Sequence, residues 1–410
     1  MLRRRDRKGP LHIALAFPLS QAHLHSLAQG ITAYAANQFR WILTTGGEAG
    51  TLSIEQLNGW RGDGIIATLT RPSEVRTARR FVRAGVPVVN IGGALRRPGI
   101  PRVTVANREI GHWAADHLFK CGFRRFAFYG LRGVAFSQDR QTGFAARLEE
   151  LGFPCAAHLS PNTYGLRRLW QDDLAALQRW LEQLCSPPRP VGIFAVNDFR
   201  ARLVIDACDL AQLKVPAQIG VVGVDNDKMM CEFSKPTLSS IECNWHRVGF
   251  EAARGLHALL EGKTPEPEMR ISPLEVVGRA STAVTLTEDP RLLKAVTYIR
   301  DHLGEIFGVE RLLEISDVSR RKLEQIFNAE MRMSPYQYLC QKRIERAKMM
   351  LRSDSTLNLK QISRMCGFRD SRRFRLVFAR MEGLTPARYR NVWRQRPVSE
   401  AQPGGTAAEA

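Results

Sequence analysis

The sequence predicts a two-lobed α/β domain followed by an all-α domain built from two helix-turn-helix units. Three observations predict it. Short apolar runs alternate with amphipathic stretches through about residue 280, the pattern of parallel sheets covered on both faces. A polar segment ending in proline, STAVTLTEDP (281–290), interrupts that alternation. Beyond it the periodicity is helical throughout, and a 21-residue pattern recurs at an offset of 51 residues.

The chain opens on MLRRRDRKGP, basic like the start of a secretory signal. The apolar run that follows, LHIALAFPLS, is short and carries His12 and Pro18, so it reads as a first strand. No stretch reaches the length of a transmembrane helix. Further strands are expected at Gly64–Ala67, Val86–Ile91, Arg125–Tyr129, Gly192–Val196 and Gly220–Val224. Helices are expected at His25–Asn37, Glu74–Ala84, Glu109–Lys120 and Leu166–Leu184. So many units exceed one small sheet, hence two lobes.

Polar residues follow several of these strands: Asn197 and Asp198 after IFAV, and Asp225, Asn226 and Asp227 after VVGV. Open α/β sheets bind ligands beyond the carboxyl ends of their strands. The same residues would also serve as helix caps. Position alone leaves both readings open. The eight cysteines (121, 155, 185, 208, 231, 243, 340 and 366) form no C-x-x-C pair. They read as reduced core thiols of a cytoplasmic protein.

The repeat carries the most specific signal. SRRKLEQIFNAEMRMSPYQYL (319–339) aligns with DSRRFRLVFARMEGLTPARYR (370–390). Ser319 or Asp370 can cap a helix, and apolar residues at i, i+3 and i+4 bury one stripe. Ser334-Pro335 or Thr385-Pro386 then opens the next helix. A shorter helix precedes each copy: VERLLEIS, ending near Asp317-Val318, and LKQISRMCGF, where Gly367 suits a left-handed turn. This is the helix-turn-helix layout, whose second helix enters the major groove. Candidate DNA contacts are Arg320, Arg321, Glu324 and Gln325 in the first unit, and Ser371, Arg372, Arg373 and Arg375 in the second. Pro335–Arg352 between the units would span about 27 Å as a helix, against major grooves about 34 Å apart.

Charge agrees. The net charge is +20, and residues 290–396 hold 24 Lys and Arg against 11 Asp and Glu. Such a block attracts a polyanion such as double-stranded DNA, and on charge alone a merely soluble basic surface or an acidic membrane surface stays open. The final segment, 397–410, has no periodicity and reads as a disordered tail.

Enzyme frames are missing. There is no G-x-S-x-G, H-E-x-x-H or nucleotide-binding glycine frame, and no cofactor is expected. His112, Asp116 and His117 share one helix at a spacing a metal could use, but a surface or dimer-contact helix explains them better, and no metal is expected.

The C-terminal motifs, ISRMCGF and FRLVFARMEGLTPARYR, resemble the AraC/XylS family of bacterial regulators over about 105 residues. Two positions depart from that pattern: Asp317 stands where glycine is common, and Leu376 where arginine is common. The front of the chain, with DGIIA (63–67), RFAFYGL (125–131), GIFAVNDFRAR (192–202), VVGVDND (221–227) and LSSI (238–241), resembles the xylose operon regulator (XylR-like) subgroup. In that subgroup a LacI-like, periplasmic-binding-protein-like sensor precedes the AraC-type helices.

The resemblance implies a sensor at 11–282, a linker at 283–290 and a DNA-binding domain at 291–396. It implies lobes of about 11–107 with 240–262, and 108–239 with 263–282. It places sugar contacts on Arg140, Asn197 and Asp225, with His23, Asn107 and Asp227 beside them and Gln21 a further candidate in the loop after the first strand. Ala106 departs from the aspartate common before Asn107. The implied protein is a sugar-responsive activator, a homodimer that works with RNA polymerase and has no membrane partner. Two rivals stay open: a sensor that binds no ligand and serves only to dimerise, and a sugar-binding or sugar-modifying protein with an incidental basic tail.

Overall fold

A computed structural model of the chain describes residues 9–394 apart from 20, 39–40, 47–49, 97–98, 162–169, 186–189, 284–288 and 353–356. The chain divides into two compact units, residues 1–284 and 285–410. Most of the expected linker and all of the expected tail lie outside the described residues.

The first unit holds twelve strands among the described residues. They are β1 (Leu11–Ala16), β2 (Trp41–Thr44), β3 (Gly64–Ala67), β4 (Val88–Asn90), β5 (Arg102–Val105), β6 (Phe126–Leu131), β7 (Cys155–Ser160), β8 (Val191–Ala195), β9 (Ile219–Val224), β10 (Ser239–Glu242), β11 (Glu268–Ile271) and β12 (Glu275–Val277). The helices between them are α1 (Ala22–Gln38), α2 (Pro72–Arg83), α3 (Asn107–Lys120), α4 (Ala135–Glu150), α5 (Trp170–Leu184), α6 (Asp198–Leu210), α7 (Lys228–Phe233) and α8 (Trp245–Leu260).

Two six-stranded sheets form, in the orders β11-β5-β4-β3-β1-β2 and β12-β10-β9-β8-β6-β7. Pairing is parallel except between β12 and β10. Strands β3, β6, β8 and β9 are buried along their whole length, which is why they read as continuous apolar runs rather than alternating ones.

Sheet membership corrects the expected lobe boundaries. Strand β10 belongs to lobe two, because it pairs with β9, while β11 pairs with β5 in lobe one. Lobe one is therefore 11–105 with 245–271, and lobe two 107–242 with 275–282. A strand's sheet is set by long-range pairing, which its own residues do not encode.

Two helix pairs are packed by glycine. A Cβ at Gly111 of α3 would overlap the Arg140 carbonyl of α4, and one at Gly143 would overlap the Arg108 carbonyl. Gly30 of α1 lies in the same way against His246, and Gly249 of α8 against Leu27. These close approaches fix the cleft-facing ends of α3 and α4 in lobe two, and of α1 and α8 in lobe one. Phe128, Phe144 and Phe194 fill lobe two, with Phe194 lying 5.4 Å and 5.2 Å from the other two ring centroids. Full burial of one such ring contributes about 1.5–3 kcal/mol.

The second unit contains α9 (Pro290–Asp301), α10 (Val309–Ser316), α11 (Arg320–Met331), α12 (Pro335–Arg352), α13 (Leu359–Met365), α14 (Ser371–Glu382) and α15 (Pro386–Arg394). It has two cores. One gathers Leu323, Phe327 and Tyr338 with α9 and α10; the other gathers Phe374, Phe378 and Tyr389 with α13. The repeat is reproduced in packing: Phe327 meets Tyr338 edge-on at 5.7 Å, and Phe378 meets Tyr389 edge-on at 5.3 Å. Arg343 of α12 joins the two halves. It is buried, donates to the Glu305 and Phe307 carbonyls at 2.9 and 3.1 Å, and lies over the Phe307 and Phe368 rings.

Candidate functional site

A cavity of about 290 Å³ lies between the lobes of the first unit. It opens where helices begin after parallel strands, as expected for α/β sheets. His23, Asn107, Arg140, Asn197 and Asp225 all line it, as does Gln21. Residues far apart in the chain thus converge on one volume.

Arg140 is 3% exposed. Its Nε donates to Asn107 Oδ1 at 2.9 Å, and Nη1 donates to the Val196 carbonyl. Asn107 is itself anchored, donating through Nδ2 to the Val105 carbonyl at 3.2 Å. Phe136, one helical turn before Arg140, lies under the guanidinium at 5.3 Å. The guanidinium is therefore fixed from several sides in a residue that borders the cavity, a preorganised donor for a hydroxyl or carbonyl oxygen.

Asp225 takes φ +104° and Asn226 φ +50°. Backbone of this kind costs about 1–3 kcal/mol for a non-glycine residue and persists only where the surroundings hold it. Here they do. Asp225 N donates to the Ile241 carbonyl, Asn226 N to Ser240 Oγ, and Asp227 N to Asp198 Oδ2. Ser240 Oγ in turn donates to Asp198 Oδ1 at 2.6 Å. Asp198 is buried; burial, and then the neighbouring Asp225 charge, push its carboxyl well above the usual range. It is the floor of the Asp225 loop rather than part of the cavity wall.

His23 is half-buried at the start of α1, its ring 4.9 Å from Trp245 at the start of α8. Burial lowers its pKa; Asp225 opposes that shift and Arg140 adds to it. The neutral imidazole offers one donor and one acceptor.

Two candidates resolve differently from the rest. Asp227 does not line the cavity: its carboxylate caps α7, accepting from Met230 N at 3.2 Å. Asn197 combines a helix cap with a place on the cavity wall. Its Oδ1 caps α6 by accepting from Arg200 N at 3.0 Å, and the residue also borders the cavity.

Sequence reasoning missed Trp245, Phe136, Thr68, Thr70 and Glu74 in the wall. Phe136 was findable from its i, i+4 relation to Arg140. Trp245 was findable by applying the strand-end rule to LSSI. Asp116 and His117 are engaged elsewhere, Asp116 with Arg147 at 2.7 Å and His117 with Thr282 at 2.9 Å.

The second unit presents two candidate recognition helices. Ser319 caps α11 by accepting from Lys322 N, and Asp370 caps α14 by accepting from Arg373 N. Asp317 occupies the first turn with φ +53°, a left-handed conformation that aspartate tolerates, and Gly367 serves the second turn with φ +72°. Arg321, Gln325, Arg372 and Arg375 are exposed; Glu324 and Ser371 are half-buried. Arg320 is paired with Glu310 at 2.7 Å. Arg373 folds back onto α12, donating to Tyr336 Oη at 2.9 Å.

Comparison with known proteins agrees with both halves. Residues 115–282 match the periplasmic binding protein-like domain family, and residues 312–391 match the helix-turn-helix domain family. The chain is 30% identical to the xylose operon regulatory protein of Haemophilus influenzae, over 92% of this chain and 97% of that protein. It is 29% identical to the protein of the same name from Escherichia coli K12, over 93% and 97%. A solved structure of the xylose-binding transcription activator xylR superposes with a TM-score of 0.59 at 28% identity, covering 94% of this chain and 99% of that one. These relatives are transcription regulators, not enzymes. With a two-lobed α/β domain, paired helix-turn-helix units and near-full-length similarity, this chain belongs to the xylose operon regulator family of DNA-binding transcription regulators.

Proposed function

We propose that this protein is a cytoplasmic activator of a carbohydrate-utilisation operon, governed by a xylose-like monosaccharide bound in the cleft of its first unit. The observation that carries the reading is the convergence of Arg140, Asn107, Asn197, Asp225 and His23 on one cavity, with Arg140 held by Asn107 and Val196. A sugar needs charged and neutral donors and acceptors fixed around its hydroxyls. Its ring faces need flat apolar surface, which Phe136 and Trp245 offer. At about 290 Å³ the cavity stands at the small end of ligand pockets, which run from about 300 to 1,000 Å³, as suits a monosaccharide.

In this reading the sugar favours one arrangement of the lobes because it binds that arrangement more tightly. That preference is passed to DNA binding in a homodimer that engages RNA polymerase. Among the described residues no helix is long and apolar enough to cross a membrane. Arg321, Glu324, Gln325, Ser371, Arg372 and Arg375 are assigned to base or phosphate contact, with Arg320 and Arg373 as flanking positions. Calorimetry with a panel of pentoses and hexoses tests the sensor: saturable heat with a pentose is expected, and no heat with any sugar overturns it.

A further inference from the structure

Leu376 is 64% exposed in the middle of α14. A single exposed leucine is ordinary on a protein surface, but this one has an uncommon position. Phe374 and Phe378 turn inward from α14, so the face opposite the core is centred on Arg372 and Leu376, one turn apart. Both Arg372 and Arg375 beside it are exposed. The repeat gives a second line of evidence. At the offset of 51 residues, Leu376 corresponds to Gln325 and Arg372 to Arg321, and these are exposed in the same i, i+4 relation on α11. One register position thus stands at the centre of the outward face in both units, amide-bearing in one and apolar in the other.

In the major groove the apolar feature of a base pair is the 5-methyl group of thymine, whereas glutamine pairs with adenine. We propose that Leu376 is a specificity-determining residue that packs against a thymine methyl in the half-site read by α14, while Gln325 reads a different base at the matching place in the half-site read by α11. Of the two arginines beside Leu376, Arg375 supplies charge that holds the helix to the phosphates, and Arg372 reaches a neighbouring base edge. The inference rests on α11 and α14 being the recognition helices, and it adds a base identity to that reading.

The test uses the full chain. A preferred duplex is selected from random sequence, and each thymine in it is then replaced singly by deoxyuridine, which lacks only the methyl group. Loss of about fourfold in affinity at one thymine is expected, the weight of one methyl group withdrawn from water. Leu376→Ala should bind that duplex correspondingly more weakly and be indifferent to uridine at the same position. Leu376→Gln should shift the selected base there toward adenine. Because Leu376 is exposed, both variants should melt like the parent, and circular dichroism checks this. A specific duplex with no sensitive thymine, or one equally sensitive in Leu376→Ala, overturns the assignment while leaving DNA recognition intact. Failure to select any duplex overturns the recognition-helix reading itself, and Leu376 with it.

Discussion

The indole Nε1 of Trp245 donates to Asp225 Oδ1 at 3.2 Å, and this bond crosses the cleft. Trp245 begins α8, which packs on lobe one through α1; Asp225 follows β9 in lobe two. The pair therefore joins the two lobes at the cavity wall, and it orients a carboxylate whose backbone is already constrained at φ +104°.

Trp245→Phe keeps an aromatic ring near His23 and removes the donor. Hydrogen bonds to charged groups contribute about 1.5–3 kcal/mol, so sugar affinity by calorimetry should fall about tenfold or more. DNA affinity without sugar should not change. An unaltered sugar affinity would mean that the bond does not matter to the occupied cleft.

Arg140→Ala should abolish the sugar response and leave sugar-free DNA affinity intact. Arg140→Lys should not rescue it, because an ammonium cannot reproduce the fork that reaches both Asn107 and Val196. Gel-shift titration with and without sugar reads both variants. A full response in either would remove Arg140 from the site.

His23 is expected to give the protein an acid limb in stability and sugar binding. Its folded pKa lies below 6.5, lowered first by burial and further by Arg140, against the opposing pull of Asp225. Above about pH 6.5 the ring is neutral in folded and unfolded chains and pH exerts no effect through it. As pH falls below that value the unfolded chain takes up the proton first, so its contribution to stability declines until the folded pKa is passed. Sugar affinity should weaken at lower pH, as the folded ring itself takes up the proton, and stay flat from about pH 7 to 8. His23→Gln should flatten the acid limb in both melting and calorimetry; an unchanged limb would assign it to other groups.

Gly111→Val should wedge α3 from α4 and destabilise the protein by about 1–3 kcal/mol or more, as overpacking does. Because that helix pair carries Asn107 and Arg140, sugar affinity should fall alongside the melting temperature. A melting temperature equal to that of the parent would show that the two helices part without cost.

In the second unit, Arg372→Ala should relax base preference and cost about 1–3 kcal/mol of binding. Arg373→Ala should act differently. It removes the bond to Tyr336 on α12, which loosens the seat of α14 while the shared apolar core stays, weakening binding evenly across sequences. Competition with single-base variants of the selected duplex separates the two outcomes.

Much of this was legible in the sequence because the signals were local. The capped repeat, Gly367 in its turn and the continuous apolar runs of β3, β6, β8 and β9 all declare themselves within a few residues. Arg140, Asn197 and Asp225 carried over by resemblance, and the structure brings them to one cavity. What stayed hidden was non-local. Nothing in EMRI says that β11 pairs with β5, or in SSIE that β10 lies beside β9, so the lobe boundaries shifted. Asp227 looked equivalent to Asp225 two residues away. The turn between them points one carboxylate at the cleft and leaves the other capping α7. Arg320 and Arg373 are candidate DNA contacts by sequence, and each has a partner from another helix that the sequence does not reveal.

Binding of the full chain to the DNA beside its own gene, at fixed salt, with and without a sugar panel that includes xylose, tests the central claim most directly. The account predicts tight, site-specific binding that one pentose strengthens. Specific binding indifferent to every sugar would contradict the sensor; absence of any protected site would contradict the regulator.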